Sequence, residues 1–170
     1  MDINMVARAK DSGVLDTVTA YFLSSYEKPL DQKMAVVNAL SWDINGKHNA
    51  VLFKEFLAKK YKVKPEKLKL NKLTGDELLC LGYMTVLDDY FTPEKAVPVI
   101  ELARKKLKDN FTAEMIAALV KAQSAIEGDW CEVWMPVDIV LKTEKLQRDM
   151  RLKAVDIIVE YMQAYESYCK

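Results

Sequence analysis

Apolar residues recur at the spacing of an α-helix through most of this chain, and that pattern limits the fold more than any other feature. Phe53, Leu57 and Tyr61, for example, fall on one helical face. The 170 residues include only five glycines and five prolines, too few for the many tight turns of an all-β protein. The sequence therefore predicts a single all-α domain over residues 1–170, with about eight antiparallel helices. Short turns favour helical hairpins stacked as an α–α superhelix, and a compact helical bundle is the alternative.

Local signals place several helix ends. Thr74 and Glu77 have the spacing of a capping box, in which each side chain satisfies an amide of the first helical turn. Pro93 is typical of a first helical position. Pro98 and Pro136 each lie inside a helical pattern, so each predicts either a kink or a helix that begins later.

Four further segments carry an expectation of their own. Residues 112–127 are apolar on most sides, which predicts a helix buried between others. The last helix is expected from Lys145 to Tyr168. The stretch LSWDINGKHNA, residues 40–50, predicts a hairpin turn in which Asn45-Gly46 supplies the left-handed conformation. Lys62–Lys72 is expected to be a lysine-rich connector.

Small residues alternate with large ones in the two helical stretches of the segment Leu78–Leu107. The residues concerned are Leu81-Gly82 in the first stretch, Asp88-Asp89-Tyr90 at the turn, and Ala96, Ile100 and Ala103 in the second. Glycine and alanine let two helices approach closely, and the large residue fills the space between them. This segment of about 30 residues resembles a tetratricopeptide repeat, with a longer turn than the family has. The resemblance implies an α–α superhelix and no particular activity.

The familiar catalytic motifs are missing from the sequence. His48 is the only histidine, which excludes metal sites built on a histidine pair, and an exposed place near a helix start is expected for it. No glycine-rich phosphate-binding loop is present. Cys80, Cys131 and Cys169 are widely spaced, so free and mostly buried thiols are expected rather than a disulfide. No catalytic residue, metal ligand or cofactor is predicted.

Carboxylates are the remaining candidates for catalytic residues. Glu127, Asp129 and Glu132 surround Trp130, and two carboxylates beside an aromatic cleft would suit a carboxylate-based hydrolase. The other interpretation is that these acids cap helices, for which Asp129 and Glu132 have the right spacing. Helix capping is favoured, and the hydrolase is kept as an alternative.

Aromatic side chains supply the candidate binding residues, because tryptophan and tyrosine combine a large contact area with a polar group. A lysine-rich segment supplies a second patch. The balance of 25 basic and 25 acidic residues argues against specific recognition of nucleic acid or of a membrane. The candidates are Trp130, Trp134, Tyr161 and Tyr165, with Lys62, Lys64 and Lys69 as the second patch.

The sequence thus predicts a non-catalytic protein-binding or scaffold module of helical-repeat type, with a protein or peptide partner. A third hypothesis is a small inhibitor or immunity-type protein, which would need a single acidic or aromatic face. The N-terminal residues hold no apolar core of a signal peptide, so a cytoplasmic location is expected. A chain that has lost its signal peptide would look the same, which leaves a periplasmic or secreted location as the alternative.

Overall fold

The computed structural model describes residues 3–169 and shows nine α-helices and no strand over that range, which confirms the all-α fold class. Eight of these helices correspond to the predicted ones, and the N-terminal helix α1 is additional. Their bounds are α1 Ile3–Ser12, α2 Thr17–Leu23, α3 Leu30–Ala39, α4 Asn49–Lys60, α5 Gly75–Asp88, α6 Val97–Lys106, α7 Phe111–Ala125, α8 Cys131–Lys142 and α9 Leu152–Met162. Short 3₁₀ segments occupy Pro65–Lys67, Leu70–Lys72, Pro93–Ala96 and Gln163–Tyr168.

The capping box at the start of α5 is present as predicted. The Thr74 hydroxyl accepts a hydrogen bond from the Glu77 amide (3.2 Å), and the Glu77 carboxylate accepts one from the Thr74 amide (2.9 Å). These bonds satisfy two amides that would otherwise lack partners in the first turn.

α5 and α6 form a close hairpin that has the predicted small–large packing. Gly82 lies against Ile100, so close that a Cβ atom on Gly82 would be 2.6 Å from Ile100 Cδ1. Ala96, Ile100 and Ala103 are all buried. Pro98 lies in the first turn of α6, because the segment from Pro93 is a 3₁₀ turn and the α-helix begins later. The tetratricopeptide resemblance itself stays a prediction.

α7 is shared between two apolar cores, which confirms that this helix is buried. Ala113, Ile116 and Val120 belong to a core built with α1 to α6. Phe111, Met115 and Ala118 belong to a second core built with α8 and the segment that follows it. The residues on both sides of α7 are therefore withdrawn from water, as its composition predicts.

The C-terminal helix begins at Leu152, not at Lys145 as expected, because the residues before it are used to cap α7. The Gln147 amide donates to the Asp109 carbonyl (2.8 Å), and the Asp149 carboxylate accepts a bond from the Thr112 amide (2.9 Å). Pro136 lies within α8, which continues through it.

An ion pair joins distant parts of the chain at the start of α9. The Arg151 guanidinium donates to the Asp31 carboxylate at 2.9 Å through Nε and through Nη2. Asp31 is buried in the first turn of α3, 120 residues earlier. This pair fastens the start of α9 to the start of α3.

Two connections differ in detail from the expectation. The residue that leaves α3 in a left-handed conformation is Ser41 (φ 60°), and Gly46 (φ 79°) takes that conformation later, within the turn of residues 40–50. His48 is exposed directly before α4, as predicted. The Lys62–Lys72 connector contains two 3₁₀ turns and is anchored by the buried Leu68.

Among the residues that the structure describes, no helix has the length and apolar character needed to cross a bilayer.

Candidate functional site

Three aromatic rings meet where α3 and α5 end. The two helices run in the same direction, since the Lys33 ammonium contacts the Asp76 carboxylate near their starts and Asn38 accepts a bond from the Tyr83 hydroxyl near their ends. Residues that follow the two helices are therefore brought together. They are Trp42, Tyr90 and Phe91, and the Trp42 and Tyr90 rings are stacked with centroids 4.6 Å apart.

A second group of rings lies at the start of α8. Trp130, the residue before α8, makes edge-to-face contacts with Tyr165 (6.2 Å between centroids) and with Tyr168 (4.7 Å). Both tyrosines belong to the 3₁₀ segment that follows α9. Edge-to-face packing places the positive edge of one ring against the negative face of another, which stabilises the group.

A disulfide between Cys131 and Cys169 holds this second group together, so the expectation of three free thiols is wrong for these two residues. The bond is adjacent in sequence to Trp130 and to Tyr168 at its two ends. Sequence spacing could not reveal it, because the 38-residue separation is closed only when α9 returns the chain to the start of α8. Cys80 is a free, buried thiol as predicted, and burial raises its pKa.

Tyr90 of the first group lies within electrostatic range of Tyr161 and Tyr165 at the second group. Burial raises the pKa of the Tyr90 hydroxyl, and the nearby Tyr161 and Tyr165 hydroxyls raise it further because neighbouring phenolates repel. Burial and Tyr161 likewise raise the pKa of Tyr165. Gln123 of α7 donates a hydrogen bond to the Tyr90 carbonyl (2.5 Å), which fixes this loop on α7. We define the aromatic surface as Trp42, Tyr90, Phe91, Trp130, Tyr161, Tyr165 and Tyr168.

Five of the seven residues are between 43% and 65% exposed, so about half of the area of these five faces solvent. Ile157 of α9, one helical turn before Tyr161, is also exposed, whereas Met162 is the buried residue of the helix. Grouped exposed apolar residues of this kind are typical of an interaction site, since isolated apolar residues at a surface are common.

Of the four predicted aromatic binding residues, two are exposed, one is buried and one is half-buried. Trp130 and Tyr161 are exposed on the aromatic surface. Trp134 is buried in the second core, and Tyr165 is half-buried beneath Trp130. The structure thus brings Trp130, Tyr161 and Tyr165 together and assigns Trp134 to packing.

The lysine patch lies at the other end of the molecule. Lys62, Lys64 and Lys69 are exposed on the connector that enters α5 at Gly75, whereas Tyr90 follows the end of α5. A helix of 14 residues separates the two by roughly 20 Å. The predicted patches are therefore separate surfaces.

The three carboxylates of the hydrolase hypothesis are all exposed. Asp129 accepts a hydrogen bond from the Cys131 amide (2.9 Å) in the first turn of α8, so its role there is a capping one. Glu127 and Glu132 line neither of the two main clefts of the described structure. The geometry provides no enclosed pair of carboxylates at Trp130.

Those two clefts are shallow. One, of about 330 Å³, lies between α6, α7 and α8, where Arg104 forms a double hydrogen bond with Glu114. The other, of about 550 Å³, lies beside the turn of residues 40–50 and contains His48 and Asp88. Asp88 accepts a hydrogen bond from the Ala50 amide (2.7 Å), and burial raises its pKa. Asp88 therefore caps α4 in place of His48, whose side chain makes no capping bond.

A buried polar network fastens α4 and α5 at the end opposite the aromatic surface. The Glu77 carboxylate accepts hydrogen bonds from Lys60 Nζ (2.6 Å) and from the Tyr61 hydroxyl (2.7 Å). Burial raises the pKa of Glu77, but these bonds and the Thr74 amide outweigh it and hold the pKa below its ordinary value. Burial and the bond to Glu77 raise the pKa of Tyr61.

The chain matches no protein-family model, no curated protein and no solved structure. The functional argument therefore rests on the surface itself. Sequence reasoning missed Trp42, Tyr90 and Phe91, although each lies within three residues of a helix end. The parallel course of α3 and α5, which unites them, has no local sequence signal.

Proposed function

We propose that this chain is a non-catalytic protein-binding or scaffold module that binds a protein or peptide through the aromatic surface. The observation that supports it is the solvent exposure of several adjoining rings. Tryptophan and tyrosine dominate the energetics of protein interfaces because they bury a large area at little cost in side-chain entropy.

The rigidity of the surface favours the same function. The Cys131–Cys169 disulfide fixes Trp130 against Tyr168, and Gln123 fixes the loop that carries Tyr90. A partner that binds such a surface loses less free energy in ordering side chains than one that binds mobile loops.

Of the two alternatives, the inhibitor or immunity-type protein gains support from the structure. Such a protein needs a single aromatic or acidic face, and the aromatic surface is one. The carboxylate-based hydrolase gains none, because Glu127, Asp129 and Glu132 are exposed and none of them lines either of the two clefts described above.

The disulfide is also relevant to the cellular compartment of the protein. Disulfides persist in oxidising compartments and are rare in the cytosol, so the bond favours the periplasmic or secreted alternative over the cytoplasmic one. Alkylation of thiols in intact source cells, followed by gel-shift analysis, tests this. Modification of Cys131 and Cys169 without prior reduction would support a cytoplasmic location.

Site-specific photo-crosslinking tests the binding function. A photoreactive phenylalanine analogue replaces Phe91, Tyr161 or, as the matched control, Tyr26, which is an exposed aromatic residue in the loop before α3. Crosslinks to one protein from Phe91 and Tyr161, but not from Tyr26, are the expected result in source-cell extract. Equal crosslinking from all three positions, or none above background, would contradict the proposal.

A further inference from the structure

We infer that the partner of the aromatic surface presents a basic segment, rich in arginine or lysine, to it. The inference rests on the proposed function and specifies the chemistry of the partner.

Acidic residues are in excess around the second group of rings. Residues 127–132 and 154–169, which the disulfide ties together, contain six acidic residues and no lysine, arginine or histidine. The chain as a whole is neutral, with 25 residues of each sign, so these two segments are acidic by comparison, and Lys153 and Lys170 border the second one. The six are Glu127, Asp129, Glu132, Asp156, Glu160 and Glu166.

These carboxylates form no ion pair within residues 3–169. All six are exposed. Near the first group of rings, Lys95 pairs with Asp89 (2.5 Å), whereas Lys47 Nζ donates to the Leu40 carbonyl (2.5 Å) and keeps its positive charge. The negative field of the two acidic segments is therefore available to a cationic partner.

The faces of the exposed rings suit the same partner. Elsewhere in the chain cations cover ring faces, such as Arg148 over Phe111 and Lys60 over Tyr26. Within residues 3–169 no lysine or arginine covers any of the seven rings of the aromatic surface. A guanidinium or ammonium group can stack on them and reach a neighbouring carboxylate at the same time.

Other occupants fit this surface less well. A nucleic acid, an anionic membrane or an acidic peptide would be repelled by the six carboxylates. A second copy of this chain, bound through its own Lys62–Lys72 connector, also has a basic segment. Sedimentation distinguishes it from a different protein.

The test measures binding of a fluorescein-labelled octa-arginine peptide by fluorescence anisotropy at low and at physiological salt, with an octa-glutamate peptide for comparison. One variant carries Glu127→Gln, Glu132→Gln and Glu160→Gln. The matched control carries Glu27→Gln, Glu55→Gln and Glu144→Gln, three exposed glutamates outside the two acidic segments that form no ion pair in the described structure. A further variant carries Phe91→Ala and Tyr161→Ala, which removes two exposed rings without disturbing a core.

The expected result is binding of octa-arginine but not octa-glutamate. The first variant should weaken that binding about tenfold and the control less than about twofold, because long-range attraction is screened within a Debye length. The ring variant should also weaken it. Absence of binding, or equal weakening in the acidic variant and its control, would overturn the inference.

Two further outcomes concern the identity of the partner. Salt-sensitive oligomers in sedimentation, dispersed by Lys62→Gln, Lys64→Gln and Lys69→Gln, would support the inference and identify the partner as a second copy of this chain, with its lysine-rich connector as the basic segment. A crosslinked partner that has no basic segment would overturn the inference, while leaving the proposed binding function in place.

Discussion

Loss of the Cys131–Cys169 disulfide is expected to destabilise the fold by about 4 kcal/mol. The value follows from the chain entropy that a cross-link between residues 38 apart removes from the unfolded state. For a protein of this size it corresponds to a fall in Tm of roughly 8–16 °C.

Urea denaturation followed by circular dichroism measures this effect on the oxidised protein, on the reduced protein and on the variant with Cys131→Ser and Cys169→Ser. The reduced protein and the variant should unfold at a similar, lower urea concentration. The variant supplies the control, because reductant should leave its midpoint unchanged.

Thiol titration makes the result unambiguous. The unfolded protein should show one reactive thiol before reduction, that of Cys80, and three after it. In the native protein Cys80 should react very slowly, since it is buried and its pKa is raised. Three thiols in unreduced protein, or identical midpoints for the oxidised and reduced forms, would refute the reasoning.

The remaining predictions concern packing, an ion pair and pH. Gly82→Ala should destabilise the protein by about 1–3 kcal/mol because the added Cβ would overlap Ile100. Ile100→Val in the same chain should recover part of that loss, and equal urea midpoints for Gly82→Ala and wild type would contradict the close approach. Arg151→Met should cost about 1–3 kcal/mol by leaving the buried Asp31 carboxylate without its cation, and adding Asp31→Asn should restore stability, both measured by urea denaturation. The lowered pKa of Glu77 stabilises the fold above the ordinary carboxyl pKa, and that contribution is lost as pH falls through the lower folded value. Glu77→Gln should therefore destabilise the protein at pH 7 and flatten its loss of stability below about pH 5, whereas an unchanged acid profile would contradict the assigned network.

Much of the fold was predictable because its determinants are local. The capping box of Thr74 and Glu77 depends on residues three apart, and the contact of Gly82 with Ile100 lies within one hairpin. The burial of α7 was evident because its own composition makes it apolar on most sides. In each case the information lies within one helix or between neighbours.

The aromatic surface was predictable only in part. Trp130, Tyr161 and Tyr165 stood out by residue type alone, whereas Trp42 and Tyr90 meet because α3 and α5 are parallel. The disulfide was missed for a similar reason: cysteines 38 residues apart show no motif until α9 reverses the chain. Contacts of this kind are set by tertiary packing, which short-range sequence patterns do not encode.

The ion pair between Asp31 and Arg151 has a consequence for biosynthesis. Its two residues are 120 positions apart, so at ordinary rates of translation roughly 6–24 s separate the addition of Asp31 from that of Arg151. Throughout that interval the aspartate at the start of α3 lacks its cation, whereas the residues of the first core have all been added by Val120. In a nascent chain the core of the N-terminal helices can therefore form first, and the start of α3 is expected to reach its final environment last.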